Sequence, residues 1–321
     1  MLPKLSVCIL TYNQEAYIAQ AIESALMQEV DFSWEILIGD DCSRDGTWEI
    51  VSAYAERFPE RIRCLRSPEN TGGQELIERL RLAARGDYLA WLEGDDFWID
   101  PRKLRKQVKF LEENPEYVGC THEIVCVDEH GQNRGELPLS RFCPRRRFTL
   151  QDAADGYLPG HGGCSLVYRN VFRELDAESY ARFTECGSIG DMKVALFLSL
   201  YGPLYRLPEV MGAYRYLPGA GRSFSSRTHG KNMSREYLFW LRERQRMAEA
   251  LLPQPPSFER AYRDVCYHAL VELLKHPGNE NREIFREILA ETPHKGTALA
   301  LAAGRALLFP ARAIRKRLSR R

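Results

Sequence analysis

Three carboxylates crowd four consecutive positions at Glu93-Gly94-Asp95-Asp96, directly behind an apolar run at 88–92. Like charges this close repel one another unless a cation stands between them, and Gly94 lets the backbone turn tightly and a ligand approach. Mg²⁺ or Mn²⁺ takes oxygen ligands and is commonly held by one or two carboxylates together with substrate phosphates. The tetrad therefore reads as a seat for a divalent metal that bridges protein and diphosphate. A solvated acidic turn, or a cap on the helix that follows Asp100-Pro101, has the same spacing. A second acidic pair, Asp40-Asp41, ends another apolar run, and its carboxylates are suited to accept hydrogen bonds from a base N–H and ribose hydroxyls. Asp45 and Thr47 in the same turn are explained by capping the next helix.

These residues need a frame. Residues 5–10 have strand character, 16–28 place apolar residues at helical spacing, and the alternation continues with strands at 35–39, 62–66 and 88–92 and helices at 47–58 and 75–84. Apolar strands alternating with helices predict an α/β fold whose parallel sheet is covered on both faces. In such open sheets ligands gather at the carboxyl ends of the strands. Thr11-Tyr12-Asn13 ends the first strand, Asp40-Asp41 the second and the acidic tetrad the fourth, so distant segments are expected to line one cleft. Further on, the pattern predicts a helix from Pro101 to about 114, strands at 118–127, 164–168 and 211–216, a helix at 191–200, a Gly-rich segment at 217–226 and helices over 235–291.

Composition is that of an ordinary globular chain: 44% hydrophobic and 28% charged residues over 321 positions argue against disorder and against a membrane bundle. The net charge of +1 conceals an asymmetry, because residues 1–291 carry 37 basic against 44 acidic side chains, or −7, and eight Lys and Arg follow. A net-negative body speaks against nucleic-acid binding, whereas a basic tail suits an anionic surface such as a membrane. Within 296–321, Leu307, Ile314 and Leu318 share one helical face, Arg305, Arg312 and Lys316 point away, and Pro310 divides the segment. Peripheral attachment to the cytoplasmic face of a membrane is one expectation; a helix packed on the body, ending in a basic tip, is the other. Nine scattered cysteines without a CxxC pair, and a start lacking a basic and then apolar leader, predict a reduced cytoplasmic chain.

Ser6-Val7 through Thr11-Tyr12-Asn13, with Tyr17-Ile18 and Ala21-Ile22 behind, resembles the opening of family 2 glycosyltransferases. Asp40-Asp41-Cys42-Ser43-Arg44-Asp45-Gly46-Thr47 resembles that family's nucleotide-binding turn, Gly86-Asp87-Tyr88 the start of its fourth strand, and Glu93-Gly94-Asp95-Asp96 its DXD-type metal motif. The resemblance covers about residues 4–226. It implies a GT-A (Rossmann-like) domain over 1–228 with a mixed, mostly parallel sheet, a donor half to about 122 and an acceptor half over 123–228. A helical extension at 229–295 and the tail at 296–321 follow. It also implies an inverting, metal-dependent transfer of a sugar from a nucleotide-diphosphate sugar to a glycan or lipid-linked acceptor, in surface polysaccharide assembly.

By position, the resemblance puts Thr11 and Asn13 near the nucleotide, Asp41 on the base and Asp40 beside the nucleoside. Asp95 becomes the foremost metal ligand and Asp96 the second, while Glu93 replaces the more usual Asp. Inverting transfer needs a base on the acceptor hydroxyl, and Asp191 in Gly190-Asp191-Met192-Lys193 resembles the family's base, although a helix cap has the same sequence. Arg215 in Tyr214-Arg215-Tyr216, or Arg222, is expected on the leaving diphosphate, with a structural ion pair as the other reading of Arg215. His122, His161 and Arg145-Arg146-Arg147 are weaker acceptor-side candidates. Where many relatives carry Ala-Arg-Asn, this chain reads Ile77-Glu78-Arg79, so the base is not transferable. A nucleotidyltransferase is the rival enzyme, but Thr11-Tyr12-Asn13-Gln14-Glu15 is neither Gly-rich nor basic. A catalytically silent binding protein of the same fold is the rival from another class.

Overall fold

The computed structural model describes residues 2–135, 142–217 and 231–307. Its first half alternates as the hydrophobic pattern predicts: β1 (Leu5–Thr11), α1 (Ile18–Leu26), β2 (Trp34–Asp40), α2 (Thr47–Arg57), β3 (Ile62–Arg66), α3 (Gln74–Ala83) and β4 (Tyr88–Glu93). β1 and β2 are buried along almost their whole length, as strands covered on both faces must be. They pair in parallel in the order β3-β2-β1-β4.

The second half completes one sheet rather than forming another. β5 (Phe97–Trp98), α4 (Lys103–Glu113), β6 (Gly119–Val127), β7 (Asn133–Gly135), β8 (Arg147–Phe148), α5 (Leu150–Ala154), α6 (Gly162–Ser165), β9 (Val167–Arg169), α7 (Ala177–Glu185), α8 (Gly190–Leu198) and β10 (Leu204–Arg215) follow in turn. The short β9 runs antiparallel between β4 and β6, which makes the sheet mixed, and β10 lies parallel to β6. Position 122, the boundary expected between the two halves of the domain, falls inside β6.

Two expectations change. The strand expected at 164–168 begins later, because Gly162–Ser165 is helical and only Val167–Arg169 pairs. A short apolar run does not distinguish the end of a helix from the start of a strand. The strand expected at 211–216 starts at Leu204, and its register slips between Leu207 and Gly212, around Pro208, where the periodicity is lost.

Gly86 shows how the sheet is keyed. A Cβ there would lie 2.4 Å from the Ser6 backbone nitrogen, and the Gly86 N–H donates to Ser6 Oγ at 2.9 Å. The start of β4 thus presses directly against β1. One hydrophobic core lies on each face of the sheet. Helices α9 (Ser234–Leu251), α10 (Glu259–Lys275) and α11 (Asn279–Glu291) supply side chains to the same core as Phe183 and Phe197 of α7 and α8. α12 (Lys295–Leu307) packs on α10 with Ala298 and Ala302 buried, so the start of the basic tail is a docked helix. Arg222, the rest of the Gly-rich segment from 218, and the apolar and basic tail positions from Arg305 onward lie outside the described side chains. Among the described residues, no helix is long and apolar enough to cross a membrane.

Candidate active site

The parallel register brings the three acidic and polar segments together. Leu10 lies opposite Glu93 and Thr11 opposite Asp40, so β1, β2 and β4 end side by side. The Gly94 N–H donates to Leu10 O at 2.8 Å and the Asp41 N–H to Thr11 O at 3.0 Å, which draws both acidic turns onto the end of β1. A Cβ at Gly94 would lie 2.4 Å from Gln14 Oε1 and 2.9 Å from Thr11 Oγ1, so only glycine allows this turn to lie so close. Thr11 Oγ1 donates to Gln14 Oε1 at 2.8 Å. Asn13 adopts a left-handed backbone, φ 51°, and its Oδ1 accepts the Arg44 N–H at 2.8 Å, tying the β1 loop to the Asp40-Asp41 turn.

Asp40 and Asp41 are both buried and their carboxylates are occupied by the protein. Asp40 accepts the Ser43 N–H and hydroxyl and pairs with Arg66 at 3.2 Å. Asp41 accepts from Asn70 Nδ2 at 3.1 Å, the Thr71 N–H at 3.1 Å and the Gly73 N–H at 2.8 Å, holding the loop that precedes α3. Gly72 and Gly73 in that loop have φ of 76° and 83°, a conformation glycine adopts without strain.

The acidic tetrad is held by Arg215, at the end of β10, the strand that pairs with β5 directly behind the tetrad. Its backbone N–H donates to Asp96 Oδ1 at 2.8 Å and its Nε to Asp95 O at 2.9 Å. The remaining guanidinium nitrogens reach Asp128 O and Glu129 O, both at 3.0 Å, and Gln20 Oε1 at 2.7 Å, while the group lies 4.5 Å from the Tyr17 ring centre. Arg215 is 3 % exposed and its donors are committed to protein oxygens, an arrangement that fits an anchor of the turn rather than a hand on a diphosphate.

Asp96 Oδ2 is buried without a hydrogen-bond partner among the described residues. Burial is the first cause that pushes Glu93, Asp95 and Asp96 up, Glu93 to about 8. Next come the Asp95 charge beside both Glu93 and Asp96, and Asp191 beside Glu93. Glu93 opens onto the cleft, so water there damps its rise, whereas Asp96 is 1 % exposed and rises well above the ordinary carboxylate range. A cation would relieve this crowding. No group of three or more His, Cys, Asp and Glu side chains is arranged to enclose a metal among the described residues, so a metal here would be held by few protein ligands and would need the substrate's oxygens.

Asp191 stands in the first turn of α8 but does not cap it: the cap is Ile189, and no side-chain capping bond is made. Its carboxyl is pushed up to about 6 by burial. Asp191 and Glu93 line one cavity between α3 and α8. Between them runs the Gly160-His161-Gly162-Gly163 segment. A Cβ on Gly162 would lie 2.4 Å from Asp191 Oδ1, and one on Gly163 2.6 Å from Glu93 Cδ. These glycines are site residues that strand and helix patterning passes over, although three Gly in four positions were visible.

His122 is buried and pushed down to about 3 by burial, and His161, its ring tilted 41° against Tyr214 at 4.1 Å between ring centres, down to about 4 for the same reason. Arg145 pairs with Asp152, and Arg146 Nη1 donates to Arg206 O at 3.2 Å. Trp98 is buried and donates to Cys164 O at 2.8 Å, so it packs, while Trp91 lines the cavity and donates to the Tyr168 hydroxyl.

The profile described as Glycosyl transferase family 2 matches residues 6–176. An uncharacterised protein of Mycobacterium tuberculosis, Rv1520, is 31% identical over 330 residues, covering 98% of this chain and 87% of that one. TarS of Staphylococcus aureus, a poly(ribitol-phosphate) beta-N-acetylglucosaminyltransferase, is similar in structure with bound UDP-GlcNAc at TM-score 0.63 and 18% identity, over 91% of this chain and 81% of that chain. The mannosyltransferase PcManGT of Pyrobaculum calidifontis, with GDP-Man and Mn²⁺, matches at TM-score 0.54 and 17% identity, over 98% of this chain and 83% of that chain. With its mixed sheet, carboxyl-end cleft and family profile, the chain belongs to glycosyltransferase family 2 and has the GT-A fold.

Proposed function

We propose that the chain transfers a sugar from a nucleoside-diphosphate sugar to an acceptor hydroxyl, with inversion and with a divalent metal, Mn²⁺ or Mg²⁺, at the acidic tetrad. The observation that carries this reading is a half-buried Asp191, making no side-chain cap to its helix, that shares a cavity with Glu93 of the tetrad. Asp95 and Asp96 would hold the metal, helped by Asp96 Oδ2, which has no hydrogen-bond partner among the described residues, and Glu93 is the least direct of the three. When bound, the metal neutralises charge that grows on the departing diphosphate. Asp191 takes the acceptor proton as the hydroxyl oxygen bonds to the anomeric carbon and the bond to diphosphate breaks, with no covalent sugar intermediate.

Asp40, Asp41, Thr11 and Asn13 frame the nucleotide seat, Asp41 chiefly by fixing the 70–73 loop, and Arg215 acts as a positioning residue for the tetrad. UDP-GlcNAc in TarS and GDP-Man with Mn²⁺ in PcManGT support a nucleotide-sugar donor and a metal. The polymer named for TarS supports an acceptor in surface polysaccharide assembly, glycan or lipid-linked. We assign the activity to the cytoplasm, with the tail beyond 307 as a peripheral membrane contact.

The test is a panel of UDP- and GDP-sugars with Mn²⁺. Asp191→Asn is expected to retain donor binding and lose transfer by about 10²- to 10⁴-fold, and Asp95→Ala to lose metal-dependent donor binding. Near-normal transfer by Asp191→Asn would falsify the base assignment.

A further inference from the structure

The cavity that opens at Glu93 and Asp191 is also lined by Glu78 and Arg81 of α3 and Lys193 of α8, set in a largely apolar wall that includes Leu10, Ile77 and Val194. Arg81 and Lys193 are 3 % and 4 % exposed. Arg81 pairs with Glu78, a carboxylate already shared with the Tyr180 hydroxyl at 3.0 Å. Its guanidinium carbon lies 4.5 Å from the Phe172 ring centre and 4.9 Å from that of Phe183, and its Nε has no hydrogen-bond partner among the described residues. Lys193 Nζ stands 4.6 Å from the Phe183 ring centre and forms no ion pair with a described residue.

Glu93 and Asp191 line the same cavity, but Arg81 and Lys193 have only Glu78 as a neighbouring carboxylate among the described residues, so two cations face one carboxylate at the α3 end of this apolar pocket, and a buried charge without a counter-ion is costly. Burial accordingly lowers the Lys193 pKa. Aromatic faces offset only part of that cost. An incoming anion would supply the rest, and would meet Lys193 on the same helix that carries Asp191, two residues away.

We infer that this pocket receives a carboxylate or phosphate borne by one of the two substrates, either on the transferred sugar or on the acceptor beside its reacting hydroxyl. The identity of those substrates rests on the proposed function; the anion site itself rests on Arg81 and Lys193.

The test compares paired ligands by calorimetric titration of the wild-type, Lys193→Met and Lys193→Arg proteins, after their thermal unfolding shows that each is folded. A donor arm uses UDP-glucose and UDP-glucuronate with Mn²⁺. An acceptor arm, with UDP bound, uses glycerol and glycerol 3-phosphate. A third arm uses inorganic phosphate and glucuronate alone. In one of the first two arms the anionic member is expected to bind about tenfold more tightly than its neutral partner, as a charge-assisted contact implies. That advantage is expected to vanish in Lys193→Met and return in Lys193→Arg, while the neutral partner is unaffected. The arm in which it occurs names the substrate that carries the anion. Equal affinities within both pairs, or a preference that survives Lys193→Met, overturn the inference. Lys193-dependent binding of phosphate or glucuronate without any binding of UDP or GDP would sink the nucleotide-sugar reading and leave the anion site standing. Should Lys193→Met not fold, Lys193→Gln replaces it, and the wild-type preference still decides.

Discussion

A base must be ionised to accept a proton, so a partly desolvated carboxyl in that role leaves its ionisation in the rate. Asp191, pushed by burial from 3.8 to about 6, is half ionised near the latter pH. Turnover with saturating metal and donor is therefore expected to climb about tenfold per pH unit below this value and to level off above it. A carboxyl at its ordinary value would leave the same range flat. A pH–rate profile without a rise between 5 and 7 would remove Asp191 from the role. The side chains that surround it were legible to different degrees. Glu93, Asp95 and Asp96 stood out because three charges in four positions need an explanation, and Asp191 because of its Gly-Asp context. Gln14, Gln20, Arg81 and Lys193 did not, since each is an ordinary polar residue on a helix or loop until the fold brings it to the tetrad or the cavity.

Elements act on the site through backbone separation. The turn at Gly162 and Gly163 passes so close to Asp191 and Glu93 that a single methyl at either position intrudes on a carboxylate. Gly162→Ala is expected to displace Asp191 and lower turnover by about 10- to 100-fold, because sub-ångström placement governs proton transfer. Its thermal unfolding should move little, since a side chain at the cavity edge can give way. A loss of stability without a loss of turnover would contradict this. Gly86→Ala makes the opposite case: its Cβ meets the backbone of β1, which cannot give way, so a destabilisation of about 3 kcal/mol is expected in denaturant titration. Strand and helix periodicity located β1 to β4 and their helices nearly to the residue, because buried parallel strands are continuous apolar runs. It misplaced β9 and shortened β10, where helix meets strand and Pro208 breaks the alternation.

At the scale of the whole molecule, the C-terminal helices are part of the catalytic body. Leu238 and Leu241 are buried in one core with Phe183 and Phe197, and Arg244 Nη1 donates to Ala153 O at 2.9 Å. Helical spacing over 235–291 identified these helices, but only packing identifies what their apolar faces cover. A chain ending at 228 would expose the outer surface of α7 and α8 and is expected to aggregate or unfold without a cooperative transition. A chain ending at 307 keeps every buried contact described above. It should unfold within about 2 °C of the full-length protein. The same pair of chains separates stability from attachment: if residues 308–321 bind an anionic surface, the chain ending at 307 keeps its unfolding temperature and activity on a dissolved acceptor but no longer sediments with anionic liposomes. Equal sedimentation of the two would rule out the tail as the membrane contact, and cooperative unfolding of the chain ending at 228 at the full-length temperature would show that the core on this face closes without the extension.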